Sequence, residues 1–326
     1  MRPVRVVLTG ATGFIGSAVL RELLRRGDGS DAPDVVRATV RVLGRRPPDT
    51  ADGGAFEWVR ADLARPETLS GVCEGADVLL HMAAAIGSDA AECAAVNRFG
   101  TAALMEEATR AAVGRIVHLS TAAVYGPGPH RGIGVDEVSP APVSVVSRTR
   151  LAGEAHALAA GATVLRPGLV LGAGDRWVVP LLGDCLRAVP AVWDGGRGRV
   201  SAVAVEDLAR LVTRLGLAPG RAGGRRIWHA SHPEPVRVGD LLTTLAHHGV
   251  LPPVSANVPW QECLAMLRAA ETSVRERQFA LVATDHWYDS RDVWEAAGCA
   301  AGPTPLARLA GAAAWYRSAL AARPAA

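Results

Sequence analysis

Apolar positions along the first half of the chain alternate between two periods. Short β-branched runs at Val4–Leu8, within Val35–Leu43, and at Phe56–Val59, Val78–Met82, Arg115–Ser120 and Thr163–Arg166 predict strands. Between them apolar residues recur at helical spacing, as Val19, Leu20, Leu23 and Leu24 do within Ile15–Arg26. Further helices are expected over Pro66–Cys73, Asn97–Ala112 and Ser147–Ala160, and an Asp/Gly/Ser/Pro-rich stretch ahead of the second strand reads as an inserted loop. Such alternation predicts an α/β fold, a Rossmann-like doubly wound parallel sheet covered by helices on both faces. The rhythm breaks after Arg166-Pro167-Gly168, and seven of the eight tryptophans lie beyond that point. The expected organisation is a dinucleotide-binding domain over residues 1–170, rejoined by segments near Val200–Leu215 and Arg226–Ala230, and a smaller substrate domain built mainly from residues 171–326.

Composition narrows the function classes. Thirty-five basic against 32 acidic side chains leave a net charge of +3, too small to favour a nucleic-acid or membrane partner. No apolar run reaches the ~18 residues of a membrane span, and the chain opens directly on a strand, so a cytoplasmic location is expected. The five cysteines form no CxxC pair and the nine histidines no HExxH, which argues against a disulfide framework and against a metal site. The 326 residues include no lysine, so no step can use a lysine amine, and only three tyrosines, Tyr125, Tyr288 and Tyr316.

Thr9-Gly10-Ala11-Thr12-Gly13-Phe14-Ile15-Gly16 follows the first strand and opens the first helix. Glycines there allow a tight turn and close backbone approach to a pyrophosphate, and the helix N-terminus offers free N–H groups and a favourable dipole. Gly10, Thr12, Gly13, Phe14, Ile15 and Gly16 are therefore candidate cofactor-binding residues. An NAD-binding fold of this kind usually presents an acid at the end of its second strand. Here Val36 to Arg46 contains none, and the planar fork of arginine suits a 2′-phosphate. Either Arg41 or Arg45 ends the strand, with Arg46 beside it; the shorter distance to Asp62 favours Arg45. NADPH is the expected cofactor.

TGATGFIG resembles the fingerprint of the extended short-chain dehydrogenase/reductases, the family of nucleotide-sugar epimerases, dehydratases and dihydroflavonol-type reductases. The likeness continues through Ala61-Asp62-Leu63, Asp77 to Ala84 (DVLLHMAA), Ser120 to Gly126 (STAAVYG) and Leu165-Arg166-Pro167-Gly168. The resemblance implies that Asp62 and Leu63 border the adenine, that Ala83 and Ala84 lie along the cofactor, and that Pro167 sits near the nicotinamide. It also implies that Tyr125 lines the substrate pocket, with Ser120, Val146, Trp177 and Trp193 as further candidates there.

The family reduces carbonyls with a tyrosine and lysine in YxxxK and a Ser or Thr hydroxyl on the carbonyl oxygen. Thr121 falls at the hydroxyl position. Aligning Arg150-Leu151-Ala152-Gly153-Glu154 with the family's KxxxE puts Arg150 at the lysine and Val146 at the tyrosine. Arg150 can hold ribose hydroxyls but will not release a proton near neutral pH, and Tyr125 is the one tyrosine near enough to substitute as an acid. Two explanations follow: a non-catalytic NADP(H) binder or sensor, or hydride transfer whose proton comes from water or from the substrate, with Thr121 and Arg150 as the catalytic pair. The second is favoured because positioning alone supplies much of such a barrier. Nucleotide-sugar members often carry an Arg-Asp pair before V-[DE]-D; Val200 and Ser201 stand there, ahead of Val205-Glu206-Asp207, and nearby Arg197 and Arg199 are positioned to compensate. With a tryptophan-rich second half suited to a flat ligand, the chain resembles the atypical ketoreductases of polyketide antibiotic pathways, the angucyclinone ketoreductases among them. That resemblance implies an aromatic polyketide ketone as substrate, with an NDP-4-keto-sugar reductase or epimerase as the alternative, in a monomer or homodimer.

Overall fold

β1 (Val4–Thr9), β2 (Ala38–Gly44), β3 (Glu57–Arg60), β4 (Val78–His81) and β5 (Arg115–Leu119) form five of the seven strands of a parallel sheet. The computed structural model describes residues 2–27, 37–49, 55–218 and 226–323. After β6 (His130–Ile133) come β7 (Thr163–Arg166), β8 (Leu169–Leu171), β9 (Val192–Trp193), β10 (Arg199–Val200), β11 (Ala202–Ala204) and β12 (Ile227–His229). The central sheet runs β3-β2-β1-β4-β5-β7-β12, with every pairing parallel. Its order reverses between β1 and β4, and in open α/β sheets the ligand crevice lies at the strand carboxyl ends there.

Helices cover both faces, which is why β1 and β4 read as almost unbroken apolar runs. On one face α1 (Phe14–Gly27) packs with a later helix, Val205–Leu217, burying Leu8, Leu20, Leu23, Leu80, Leu208 and Val212 together. The other face carries α2 (Ala90–Ala94), α3 (Thr101–Arg110) and α4 (Val145–Ala159), over Val7, Leu79, Leu104, Ala157 and Val164. The segments around 200–230 supply the Val205–Leu217 helix and β12, the last strand of the sheet.

Residues beyond β8 build most of a second lobe. α5 (Val178–Ala188), α6 (Val205–Leu217, the helix already placed on the sheet) and α7 (Val238–His247) are followed by four shorter or terminal helices. Here β13 (Val236–Arg237), β14 (Asn257–Val258) and β15 (His286–Tyr288) complete the strands, and a small sheet runs β13-β10-β15-β6. Its core gathers Leu182, Trp193, Val200, Leu241, Phe279 and Tyr316. Among the described residues no helix is long and apolar enough to cross a membrane.

Three local expectations shift. Pro66–Cys73 is a short 3₁₀ turn, Pro66–Leu69, because Gly71 takes a left-handed φ of 75° and ends it. The helix expected from Asn97 begins at Ala90, where the Asp89 carboxylate accepts from the backbone of Ala91 and Glu92. It then passes through a π-turn, Ala95–Gly100, before α3. The next helix starts at Val145 because Ser144 and Ser147 form a capping box. The second strand spans Ala38–Gly44, and the inserted loop before it lies outside the described residues.

Candidate functional site

The glycine turn sits at the switch point. Gly10 has φ 75°, and a Cβ there would stand 2.6 Å from the Ala83 nitrogen. A Cβ on Gly16 would run into the Gly10 carbonyl, so only glycine lets α1 start this close to β1. Gly13 N–H donates to the Gly10 carbonyl at 2.9 Å and Ser17 N–H to that of Gly13 at 2.9 Å. The first-turn N–H groups have no intrahelical acceptor. Thr12 and Gly13 are exposed, and Phe14 and Ile15 half-buried, with the Phe14 ring against Gly174 of the second lobe.

β4 supplies the opposite wall. Ala83 N–H donates to the Thr9 hydroxyl (3.2 Å), which bonds His81 Nδ1 (2.7 Å), while His81 Nε2 meets Thr101 Oγ1 (3.0 Å). Ala83 and Ala84 are held from the far side as well. Asn97 accepts from Ala85 N–H (2.8 Å) and donates to the Ala85 carbonyl (3.0 Å) and to Thr149 Oγ1 (3.0 Å). Sequence reasoning missed Thr9, His81, Asn97 and Thr101; the signal was a set of polar residues at apolar positions of strands and helices. Beyond β3, the Asp62 carboxylate accepts from Ala64 N–H at 3.0 Å, and the Leu63 carbonyl presses on Gly100 of the π-turn.

β2 ends at Gly44, so Arg45 and Arg46 follow its carboxyl end; both are exposed and neither has a hydrogen-bond or ionic partner among the described residues. Arg41 is the strand's midpoint and is committed elsewhere. Its Nε meets Glu57 at 2.8 Å and its Nη1 the carbonyls of Val72 (3.0 Å) and Glu74 (3.1 Å), which removes it from the candidate phosphate ligands.

At the end of β5, Thr121 is half-buried and its Oγ1 accepts from Ala123 N–H at 3.2 Å, leaving the hydroxyl proton free to donate. Val146 lies in the first turn of α4, one turn before Arg150 and two before Glu154, so the three share a ridge. The Arg150 guanidinium donates to the Leu119 carbonyl, and burial depresses its pKa to about 10. Pro167 is buried at the end of β7, its carbonyl accepting from Ala122 N–H at 2.8 Å.

Three expected pocket residues are not in the pocket. Ser120 is buried and its hydroxyl donates to Glu154. Glu154 is also gripped by Arg166 Nη2 at 2.6 Å and Nε at 3.1 Å. Tyr125 is buried too: its hydroxyl accepts from Arg166 at 2.8 Å and meets His229 Nε2 at 2.8 Å, and its ring stacks on Tyr288 at 5.5 Å. Burial pushes its phenol pKa up despite the nearby guanidinium. The polar hydroxyl thus closes an interior network, and Tyr125 is removed as pocket lining and as a substitute acid. Trp193 is core: its indole N–H donates to the Val189 carbonyl at 3.0 Å and its edge meets Phe279 at 4.9 Å. Trp177, by contrast, is 42% exposed at the start of α5.

The fingerprint glycines, the Ala83–Ala84 wall, Thr121, Val146, Arg150 and Pro167 thus gather at the carboxyl ends of β1, β4, β5 and β7. The sequence model of the NAD dependent epimerase/dehydratase family matches residues 6–228, more than half of the chain. The chain belongs to that family. Among its relatives is a 4-hydroxy-2-methyl-3-oxo-4-farnesyl-3,4-dihydroquinoline-1-oxide ketoreductase of Stigmatella aurantiaca, 28% identical over 82% of this chain and 80% of that one. A 2-alkyl-3-oxoalkanoate reductase of Stenotrophomonas maltophilia (strain K279a) is 29% identical over 74% of each. The solved structure of MoeE5 in complex with UDP-glucose and NAD shares the fold, with a TM-score of 0.71 at 23% identity over 97% of this chain and 99% of that one.

Proposed function

We propose that the chain is an NADPH-dependent ketoreductase of an aromatic polyketide ketone. Bound NADPH supplies the hydride. The Gly10–Gly16 cradle, which a side chain would fill, and the α1 N-terminus fit its pyrophosphate, and unpartnered Arg45 and Arg46 fit a 2′-phosphate. Thr121 orients the ketone oxygen, Arg150 faces the ribose, and the proton comes from water or from a phenol of the substrate.

Exposed apolar side chains in three loops carry this reading. Ile86 (78% exposed), Val143 (45%) and Trp177 (42%) belong to the loops after β4, before α4 and before α5, at the carboxyl edge of the sheet. Large apolar groups left in water there suit an apolar substrate body. Val200, at the place where nucleotide-sugar members carry a diphosphate-binding arginine, is fully buried in the second-lobe core. The two reductase relatives are named for a farnesylated quinoline oxide and an alkyl oxoalkanoate, both rich in hydrocarbon.

The test is NADPH absorbance decay with the purified protein against aromatic polyketide ketones and a 4-keto sugar nucleotide. Consumption with the polyketide ketone alone supports the proposal. Consumption with the sugar nucleotide alone, or NADPH binding with no turnover of either, overturns it in favour of a sugar-nucleotide reductase or a cofactor sensor.

A further inference from the structure

Arg150 is a cation that the fold has drawn inward without giving it an acid. Its one hydrogen-bond partner among the described residues is the Leu119 carbonyl, at the last residue of β5 and just past the point where β4 stops pairing, at His81 opposite His118. That uses one of five guanidinium donors. Glu154, one turn further along α4, is fully occupied by Arg166 and by the Ser120 hydroxyl. The other titratable neighbours are His81 and His118, whose rings lie 5.0 Å apart. Burial drives the pKa of both down, that of His81 to about 3, so neither carries charge at neutral pH. Two arginines, one carboxylate and two neutral imidazoles leave this interior cluster one positive charge in excess. Half-buried and with four donors not used by the Leu119 carbonyl, the guanidinium is placed to meet a further oxygen or anion.

We propose that Arg150 is a catalytic residue that, with the Thr121 hydroxyl, receives the negative charge developing on the ketone oxygen, in place of the tyrosine that Val146 cannot supply. The proposal rests on the ketoreductase reading above and deepens it from ribose contact to charge stabilisation. The carbonyl carbon takes the hydride of the reduced nicotinamide, and the C=O π pair moves to oxygen as an alkoxide held by Arg150 and Thr121. Water then protonates the alkoxide and leaves as hydroxide. No protein group changes protonation state. The excess charge stabilises the transition state more than the neutral ketone, which is the condition for raising kcat.

The test uses Arg150→Met and Arg150→Lys in the full chain, with α-tetralone as ketone and naphthoate as a stable anion mimic of the alkoxide. Arg150→Met is expected to lower kcat about 10²–10³-fold, the range for losing one oxyanion donor, while NADPH Kd, read by fluorescence, changes less than about fivefold. Arg150→Lys is expected to recover part of that loss. Naphthoate binding to the NADP⁺-loaded protein, measured calorimetrically, should weaken at least tenfold in Arg150→Met and less in Arg150→Lys. Weakened NADPH binding with kcat and naphthoate affinity intact would overturn the proposal and leave Arg150 a ribose holder. If the parent protein oxidises no NADPH with any ketone, the ketoreductase reading fails, and unchanged naphthoate affinity across the variants would sink the Arg150 assignment separately.

Discussion

Replacing Glu154 by glutamine tests the interior that supports the site. The carboxylate lies in a nearly dry environment, with side-chain exposures of 2% for Glu154 and 4% for Arg166, and accepts two guanidinium bonds and the Ser120 hydroxyl. Glutamine keeps the shape and one acceptor oxygen but turns the other into an amide that faces the Arg166 donor. Arg166 would then hold a buried charge with no counter-charge, and breaking one side of a buried pair costs about 3–5 kcal/mol. For a chain of 326 residues that corresponds to a fall in melting temperature of roughly 4–7 °C. The assay is urea unfolding followed by far-ultraviolet circular dichroism, with Arg166→Met added to the Glu154→Gln background. If desolvated charge is the cause, the double variant is more stable than Glu154→Gln alone. A loss below about 1 kcal/mol, the ceiling for an exposed pair, would show that water reaches the pair and would refute the account.

Tyr125→Phe should cost about 1–3 kcal/mol, because it leaves Arg166 and His229 short of a partner, yet keep NADPH turnover within a few-fold; a loss of kcat of a hundredfold in steady-state assays would restore Tyr125 as an acid. His81 and His118 stay neutral in the fold, so the unfolded chain takes their protons first as pH falls. Stability is therefore full above about pH 6.5 and drops by about 1 kcal/mol per histidine for each pH unit below it, for His81 down to about 3. Urea melts near pH 7.5 and pH 5.5 should show this drop, to which His286, also depressed by burial, adds, and His118→Phe should remove about half of the part owed to His81 and His118; an unchanged slope would contradict it. Arg45→Ala with Arg46→Ala should weaken NADPH at least tenfold and leave NADH nearly unchanged in fluorescence titrations, and equal effects on both cofactors would mean the pair does not read the 2′-phosphate.

Periodicity in the sequence located the central sheet because both of its faces are buried, and a strand such as Val78–His81 then has no polar side to blur it. The glycine turn was legible for a steric reason: at Gly10 and Gly16 a Cβ has nowhere to go. What stayed hidden depends on distant partners. Tyr125 looks like pocket lining from its place after β5, but Arg166 from β7 and His229 from β12 take its hydroxyl inward. Arg41 looks like a strand end until β2 runs three residues further, to Gly44. Trp193 is one of seven tryptophans in the second half, and only packing on Phe279 separates it from exposed Trp177. The π-turn was invisible too; where it forms, glycines at 100 and 153 let the Leu63 and Asn97 carbonyls approach, a tertiary contact that no local pattern announces.

The departures from the family pattern change one quantity together. On the proposed function, Val146 at the position the resemblance gives to the tyrosine offers the ketone no acid, and Arg150 at the lysine position holds charge but does not pass on a proton. Such a site does best with a substrate whose alkoxide is weakly basic and easily stabilised, since proton transfer no longer assists the hydride step. A ketone conjugated to an aromatic ring and hydrogen-bonded to its own phenol meets that demand, whereas a saturated 4-keto sugar does not. Val200 itself is buried and offers a diphosphate nothing, although the exposed Arg197 and Arg199 keep cations beside that position. On the proposed function, loss of the acid and loss of the diphosphate arginine both follow from one change of substrate, from a charged sugar nucleotide to an apolar aromatic ketone.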